Sequence, residues 1–160
     1  MKRKIMIYIV LLICFTCNIC LAIPSSEIAL GGVVPGMTQE RVKEIYGEPT
    51  KAERFYPKKH AESYDRSYTD IWTYGSSFVI YFIPYNGGSV ELIITSANNG
   101  IKTPPGFGVG SNVSDVIAYY GKPFLKTSDS IWYKTAEGYD LVFMYAKGKV
   151  SEIRTGFQAD

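Results

Sequence analysis

The chain has 160 residues, 46% of them apolar and 20% charged, with 17 basic side chains against 15 acidic ones and a single histidine. That is apolar enough for an ordinary hydrophobic core and too weakly charged for a disordered chain. Near balance of scattered charge excludes an electrostatic case for nucleic acid as a partner.

The chain begins with a segment that reads as an export signal over residues 1–22. Lys2, Arg3 and Lys4 form a basic start, Ile5 to Phe15 is an apolar run, and Cys20-Leu21-Ala22 ends on a small residue just before Pro24. This is the pattern of a cleaved secretory peptide, so the mature chain is expected outside the cytoplasm, periplasmic or extracellular. An uncleaved anchor is the alternative, because a spanning helix needs only ~20 apolar residues; Thr16 and Asn18 interrupt the run. Membrane association is expected only if the signal is uncleaved or lipidated. All three cysteines (Cys14, Cys17 and Cys20) lie in this segment. The mature chain therefore has none, and no disulfide can form although the compartment permits one. Removal of the signal also takes three basic residues, leaving 14 against 15 acids.

Ile23 to Leu30 carries no strong signal, and Gly31-Gly32 reads as a turn. Thr38 sits where a helix N-cap belongs, and Met37, Val42, Ile45 and Tyr46 form a rough helical stripe. Gly47 closes that helix and Pro49 blocks its continuation. Trp72 to Tyr74, Phe78 to Ile83 and Val90 to Thr95 read as strands, with Asn86-Gly87-Gly88 as a turn. Residues 98–105 form a linker, broken by Asn98-Asn99-Gly100 and Pro104-Pro105. A second helix then starts at the expected cap Asn112, with Val113, Val116, Ile117 and Tyr120 on one face and Gly121 and Pro123 as stops. Ile131 to Tyr133, Tyr139 to Tyr145 and Val150 to Arg154 are the remaining strands. Both helices are about two turns long and must lie on an apolar sheet to persist.

The two halves match each other. Gly36, Val42, Tyr46, Gly47 and Pro49 recur as Gly110, Val116, Tyr120, Gly121 and Pro123 at a constant offset of 74. Further on, Ile71-Trp72 and Ile131-Trp132 match at an offset of 60, as do Gly88/Gly148, Val90/Val150, Ile93/Ile153 and Thr95/Thr155. A self-match that keeps its spacing reads as an internal duplication. The expected organisation is a first α/β repeat at 31–97, the linker at 98–105 and a second repeat at 106–157, in an α+β fold. The first repeat carries an insertion at 50–70 that is charged and rich in tyrosine, including Tyr56, Tyr64 and Tyr68. It is either a partner-contacting arm or a solvated excursion.

The middle strands are apolar on both faces: Phe78, Ile80 and Phe82 oppose Val79, Tyr81 and Ile83. A half-exposed antiparallel strand should alternate with polar residues. Either the two units pack on each other through the second face, or part of that face is a docking surface. A lone unit of ~60 residues has a marginal core, which favours packing between units. The two tryptophans stand at matched positions in this scheme. They either anchor helix to sheet or face outward with Tyr74 and Tyr81 as contact aromatics.

For chemistry there is little to work with. Without cysteine and with only His60, the mature chain offers no His/Cys metal set and no Cys-His pair. No carboxylate pair stands out as general acid and base. Gly106 to Gly110 is glycine-rich before a helix, yet it lacks the P-loop lysine and the spacing of a dinucleotide fingerprint. We expect no enzyme activity, no metal and no cofactor. The expected partner is a protein, and the candidate contact residues are Tyr56, Tyr64, Tyr68, Trp72, Tyr74, Tyr81, Trp132 and Tyr133.

The Gly-Met-Thr…Val…Tyr-Gly-x-Pro motif, a Trp-x-Tyr and a Gly-x-Val-x-x-Ile closing strand together resemble the SmpA/OmlA outer-membrane assembly lipoprotein family. Two such units after a secretory signal resemble the β-lactamase-inhibitor-protein-like fold. The resemblance covers residues 31–157. It implies two tandem repeats, each a short helix-loop-helix segment packed on a three- to four-stranded antiparallel sheet. It further implies no catalysis and protein binding across a sheet face: a cell-envelope binding module, or alternatively a secreted inhibitor of a hydrolase such as a β-lactamase or peptidase. The chain departs from these proteins in three ways. No small residue precedes any of its cysteines, it has no disulfide, and Ser111-Asn112 replace Met37-Thr38 in the second copy.

Overall fold

A computed structural model describes residues 22–56, 68–84 and 87–157. The export segment before Ala22, together with His60 and Tyr64, lies outside the described residues.

Thr38 opens α1 (Gln39–Tyr46): its hydroxyl accepts a hydrogen bond from Arg41 N at 3.3 Å. Gly47, at φ +74°, ends the helix and donates its N–H back to Lys43 O. In α2 (Val113–Tyr120) Gly121 does the same to Ile117 O. Asn112, the expected cap of α2, accepts no bond from the helix backbone; its amide instead donates to the Asp115 carboxylate at 2.8 Å. Val42, Val113 and Val116 are buried, whereas Ile45, expected on the apolar stripe, points to solvent.

The strands are β1 (Lys51–Phe55), β2 (Thr69–Tyr74), β3 (Phe78–Ile83), β4 (Ser89–Thr95), β5 (Leu125–Lys126), β6 (Ser130–Lys134), β7 (Asp140–Ala146) and β8 (Lys149–Gly156). They form one antiparallel sheet of eight strands in the order β1-β2-β3-β4-β8-β7-β6-β5. This corrects the expected architecture in two respects. The two small sheets are one, because β4 pairs with β8 from Leu92↔Gly156 to Thr95↔Ile153. Left apart, β4 and β8 would each expose a row of unpaired N–H and C=O groups; joining them satisfies both rows and merges two marginal cores. There is also no helix-loop-helix: among the described residues each half has one α-helix, of eight residues. The chain before each helix is punctuated by Gly31 and Gly32, or by Pro104, Pro105 and Gly106. It makes tight turns closed by the bridges Leu30↔Val33 and Lys102↔Gly108. Lys51 to Phe55, within the expected insertion, forms an edge strand paired antiparallel with β2.

Both helices lie on one face of this sheet. The core there combines Leu30, Val33, Val42 and Val116 with Trp72, Phe78, Ile80, Phe82, Ile93, Ile131, Leu141, Phe143 and Ile153. The sheet is symmetric about the β4–β8 pair, and the two halves repeat their contacts. Gly36 N donates to Val90 O at 2.7 Å and Gly110 N to Val150 O at 2.8 Å. Tyr74 Oη donates to Gly47 O and Tyr133 Oη to Gly121 O, both at 3.1 Å. β3 and β7 each carry an irregularity, at Tyr81/Phe82 and Met144/Tyr145. The lead-in, which carries no sequence signal, crosses to the second half. Ile23 bridges Thr135 in parallel, Thr155 Oγ1 donates to Ile28 O at 2.7 Å, and the hydroxyls of Tyr119 and Tyr120 reach the Glu27 carboxylate.

Candidate functional site

Successive side chains of a strand point to opposite faces, so the helix-covered face accounts for only half of each strand. The other half forms a second face opposite the helices, partly exposed at Ile71, Val79, Tyr81, Leu92 and Ile94 but buried at Ser130, Asp140 and Val142. One row of it crosses the whole sheet: Lys51, Thr73, Val79, Ile94, Arg154, Val142, Trp132 and Leu125. The next row runs Glu53, Ile71, Tyr81, Leu92, Gly156, Asp140 and Lys134. The apolar members of β2, β3 and β4 are each partly exposed, and β3 alternates buried and half-buried along its length. Val142 is fully buried between Arg154 and Trp132. The charges on this face are largely paired: Arg154 Nε with Glu152 at 2.5 Å and Lys134 with Asp140 at 3.5 Å.

The expected packing between units through this second face is not what the sheet shows. The halves meet edge to edge rather than face to face, so packing between units does not cover it.

The sequence-predicted contact residues separate into three places. Tyr81 and Trp132 stand on the open face, with the Trp132 indole N–H donated to Ser130 Oγ at 2.9 Å. Trp72, Tyr74 and Tyr133 belong to the helix face. Trp72 is 7% exposed, packs its ring 4.6 Å from that of Phe82 and lies under Lys43 Nζ. Tyr74 and Tyr133 are tied by their hydroxyls to the glycines that end the helices. Burial, with the Glu48 charge second, raises the Tyr74 phenol above its ordinary pKa. The third group sits at the open end of β1 and β2. Tyr56 is exposed, and Tyr68 lies 3.9 Å beneath the Arg54 guanidinium; Tyr64 is outside the described residues.

The two tryptophans are therefore not equivalent, which corrects the offset-60 match. Trp72 pairs with Ile80 and so belongs to the core row, while Ile131 takes that place in the second half by pairing with Phe143. The Ile-Trp dipeptides align one residue out of structural register, and a slip of one residue exchanges the faces of a strand. Tyr74 and Tyr133 are the true counterparts.

Arg54 also clamps Asp70. Its Nε and Nη2 reach the two carboxylate oxygens at 2.6 and 2.8 Å, and Gln39 Nε2 donates to Oδ2 at 3.1 Å. The Arg54 hydrogen bond holds the Asp70 carboxyl below the usual carboxylate range, against the opposing effect of burial. Among the described residues no three His, Cys, Asp or Glu side chains converge to hold a metal ion, and no helix is long and apolar enough to cross a membrane.

Open-face residues missed in the sequence include Ile94, Leu92, Val142 and Leu125. The signal that could have found the first three was the unbroken apolar run of their strands, once helices were confined to one side. Leu125 gave none, since β5 is only two residues long.

No protein-family model matches the chain, and no curated protein matches it. Among solved structures it is similar to a DUF4309-family protein from Bacillus subtilis. The two are 15% identical over 76% of this chain and 78% of the other, with a TM-score of 0.42, too distant to assign a function.

Proposed function

We propose that this is an exported, non-catalytic protein-binding module of the bacterial cell envelope that docks its partner on the open face of the sheet. The observation that carries this reading is the partly exposed apolar face with Tyr81 and Trp132 on it. Eight strands at ~4.8 Å spacing, about five residues deep, give roughly 34 by 17 Å, or ~600 Å² in projection. That approaches the ~800 Å² one partner contributes to a standard interface. Aromatic anchors among aliphatic side chains, with charges at the edges or in pairs, match the anatomy of such interfaces. The SmpA/OmlA-like motifs and the export signal agree with an envelope setting.

The test is site-specific photocrosslinking in the producing cell, with the probe at Val79 or Ile94 on the open face and at Ser114 on exposed α2. Expected is one discrete adduct from the sheet positions and none from α2. Y81S/I94S should weaken that partner by on the order of thirtyfold, the usual cost of losing hot-spot contacts. Equal adducts from both faces, or none from the sheet, would refute the reading. A captured hydrolase whose activity falls on binding would make the module an inhibitor.

A further inference from the structure

Asn99 stands where β4 hands the chain to the linker between the halves. Its side chain is tied in three directions. Thr95 Oγ1, at the end of β4, donates to Asn99 Oδ1 at 3.2 Å. Ile101 N, two residues on, donates to the same oxygen at 3.1 Å. Asn99 Nδ2 donates to Ser77 Oγ, in the β2–β3 turn, at 3.0 Å. The backbone donor at Ile101 fixes which end of the amide is the oxygen. Thr95 and Ser77 are buried, whereas Asn99 and Gly100 are exposed.

The residue after Asn99 is glycine, at φ +85°. An asparagine before glycine carries its own reagent: the next backbone nitrogen can close a succinimide ring on the side-chain carbon, and no Cβ screens it. Gly100 N donates no hydrogen bond to a described residue, so its proton is open to solvent base. The Ile101 bond closes a turn around the Gly100 peptide group, which folds the Asn99 carbonyl toward that nitrogen. The two donors on Oδ1 stand where negative charge gathers when the carbonyl is attacked, the arrangement of an oxyanion hole. Ser77 Oγ stands at the nitrogen that must leave.

We propose that Asn99–Gly100 is a self-modifying site, at which the folded chain promotes conversion of the asparagine to aspartate and isoaspartate. Solvent base removes the Gly100 N–H proton, and the nitrogen attacks Asn99 Cγ. The N–Cγ bond forms while the carbonyl electron pair moves to Oδ1, held by Thr95 and Ile101. The Cγ–Nδ2 bond then breaks, and the nitrogen takes a proton from the Ser77 hydroxyl, which water restores, and leaves as ammonia. Water opens the succinimide at either carbonyl. One water is consumed and one ammonia released, with no oxidant or cofactor. The product loses the amide donor to buried Ser77. As isoaspartate it also adds a methylene to the backbone just before Ile101, which packs against the core. Conversion thus loosens the junction between the halves irreversibly as the molecule ages. The open face takes no part in it.

The test incubates the full chain, folded and guanidinium-unfolded, in water enriched in heavy oxygen at neutral pH. Mass spectrometry follows the heavy-oxygen acid and separates aspartate from isoaspartate. Fragmentation assigns it to position 99 rather than to Asn86–Gly87, the other Asn-Gly pair in the chain. Expected is conversion on the order of tenfold faster in the folded chain, with both products present. T95V, which removes the hydroxyl at similar bulk, should lose most of that acceleration, and T95S should keep it. Guanidinium midpoints show whether each variant is folded. Conversion no faster in the folded than in the unfolded chain would overturn the proposal, because the three bonds would then only restrain the asparagine. So would aspartate without isoaspartate, the mark of direct hydrolysis, or a folded T95V that converts at the wild-type rate or faster.

Discussion

Gly156 is where the joining of the two halves is most exposed to test. It pairs with Leu92 on one side and Asp140 on the other, and Phe157 N donates to Glu91 O at 3.0 Å immediately after it. Its φ is +142°, a conformation essentially reserved for glycine. A Cβ there would meet Glu91 O at 2.0 Å and Leu92 Cα at 2.8 Å. Both are backbone atoms, so no rotamer change relieves the clash, and β4 must move away by about an ångström. Strain of ~1–3 kcal/mol from the backbone conformation adds to ~1–3 kcal/mol from overpacking. G156A should therefore lose about 2–6 kcal/mol, a large part of a typical domain's stability. G148A is the control: φ is +74° in the β7–β8 turn, but nothing lies within 4 Å of the added methyl. It should cost only ~1–2 kcal/mol, for the left-handed conformation alone. Urea unfolding of both variants measures the difference through the midpoints, with the slopes unchanged. If G156A is no less stable than G148A, β4 and β8 do not meet at Leu92–Gly156 and the single sheet is wrong.

Tyrosine hydroxyls at the helix ends should matter in proportion to burial. Y133F, at a site 2% exposed, should cost ~0.5–1.5 kcal/mol by thermal unfolding, and Y74F less, since its bond is open to water. Asp70 titrates below its unfolded value because of Arg54. Its contribution is thus complete above pH ~4, the unfolded carboxylate pKa, and is lost as pH falls through the folded one. D70N should be less stable than wild type near neutrality, and the gap should close towards pH 2; a constant gap would refute the assignment. Acrylamide should quench fluorescence much more in W72F, which keeps Trp132, than in W132F, which keeps Trp72. The reverse order would put the tryptophans on the wrong faces.

Local signals carried much of this chain. The helices end where Gly47 and Gly121 stand, because a residue at positive φ with no Cβ stops a helix whatever surrounds it. Six of the eight strands, all but β1 and β5, announced themselves by β-branched and aromatic runs between glycine turns. The lead-in from Ile23 to Leu30 was silent because its role is entirely long-range: Ile23 on Thr135, Ile28 on Thr155, Glu27 under two tyrosines. β5 was silent because two residues hold no period. The Ile-Trp match misled because similarity of letters does not reveal which face a strand turns inward; only pairing to β3 or β7 sets that.

The candidate site followed the same division. Apart from Leu125 and the residues of β1, those that populate the open face were readable as strand residues, and β3 was readable as apolar on both sides. Whether that second face would be covered was a question about the partner of each strand edge, and edge groups are backbone, identical in every residue. What the sequence determined by itself was therefore local: helix ends, turns, most of the strand content and a near balance of charge. That β4 and β8 join, that the halves meet by their edges, and that among the described residues the sheet face opposite the helices stays partly exposed at β2, β3 and β4 were decided by tertiary structure alone, because unpaired backbone hydrogen-bonding groups favour any strand that can reach them.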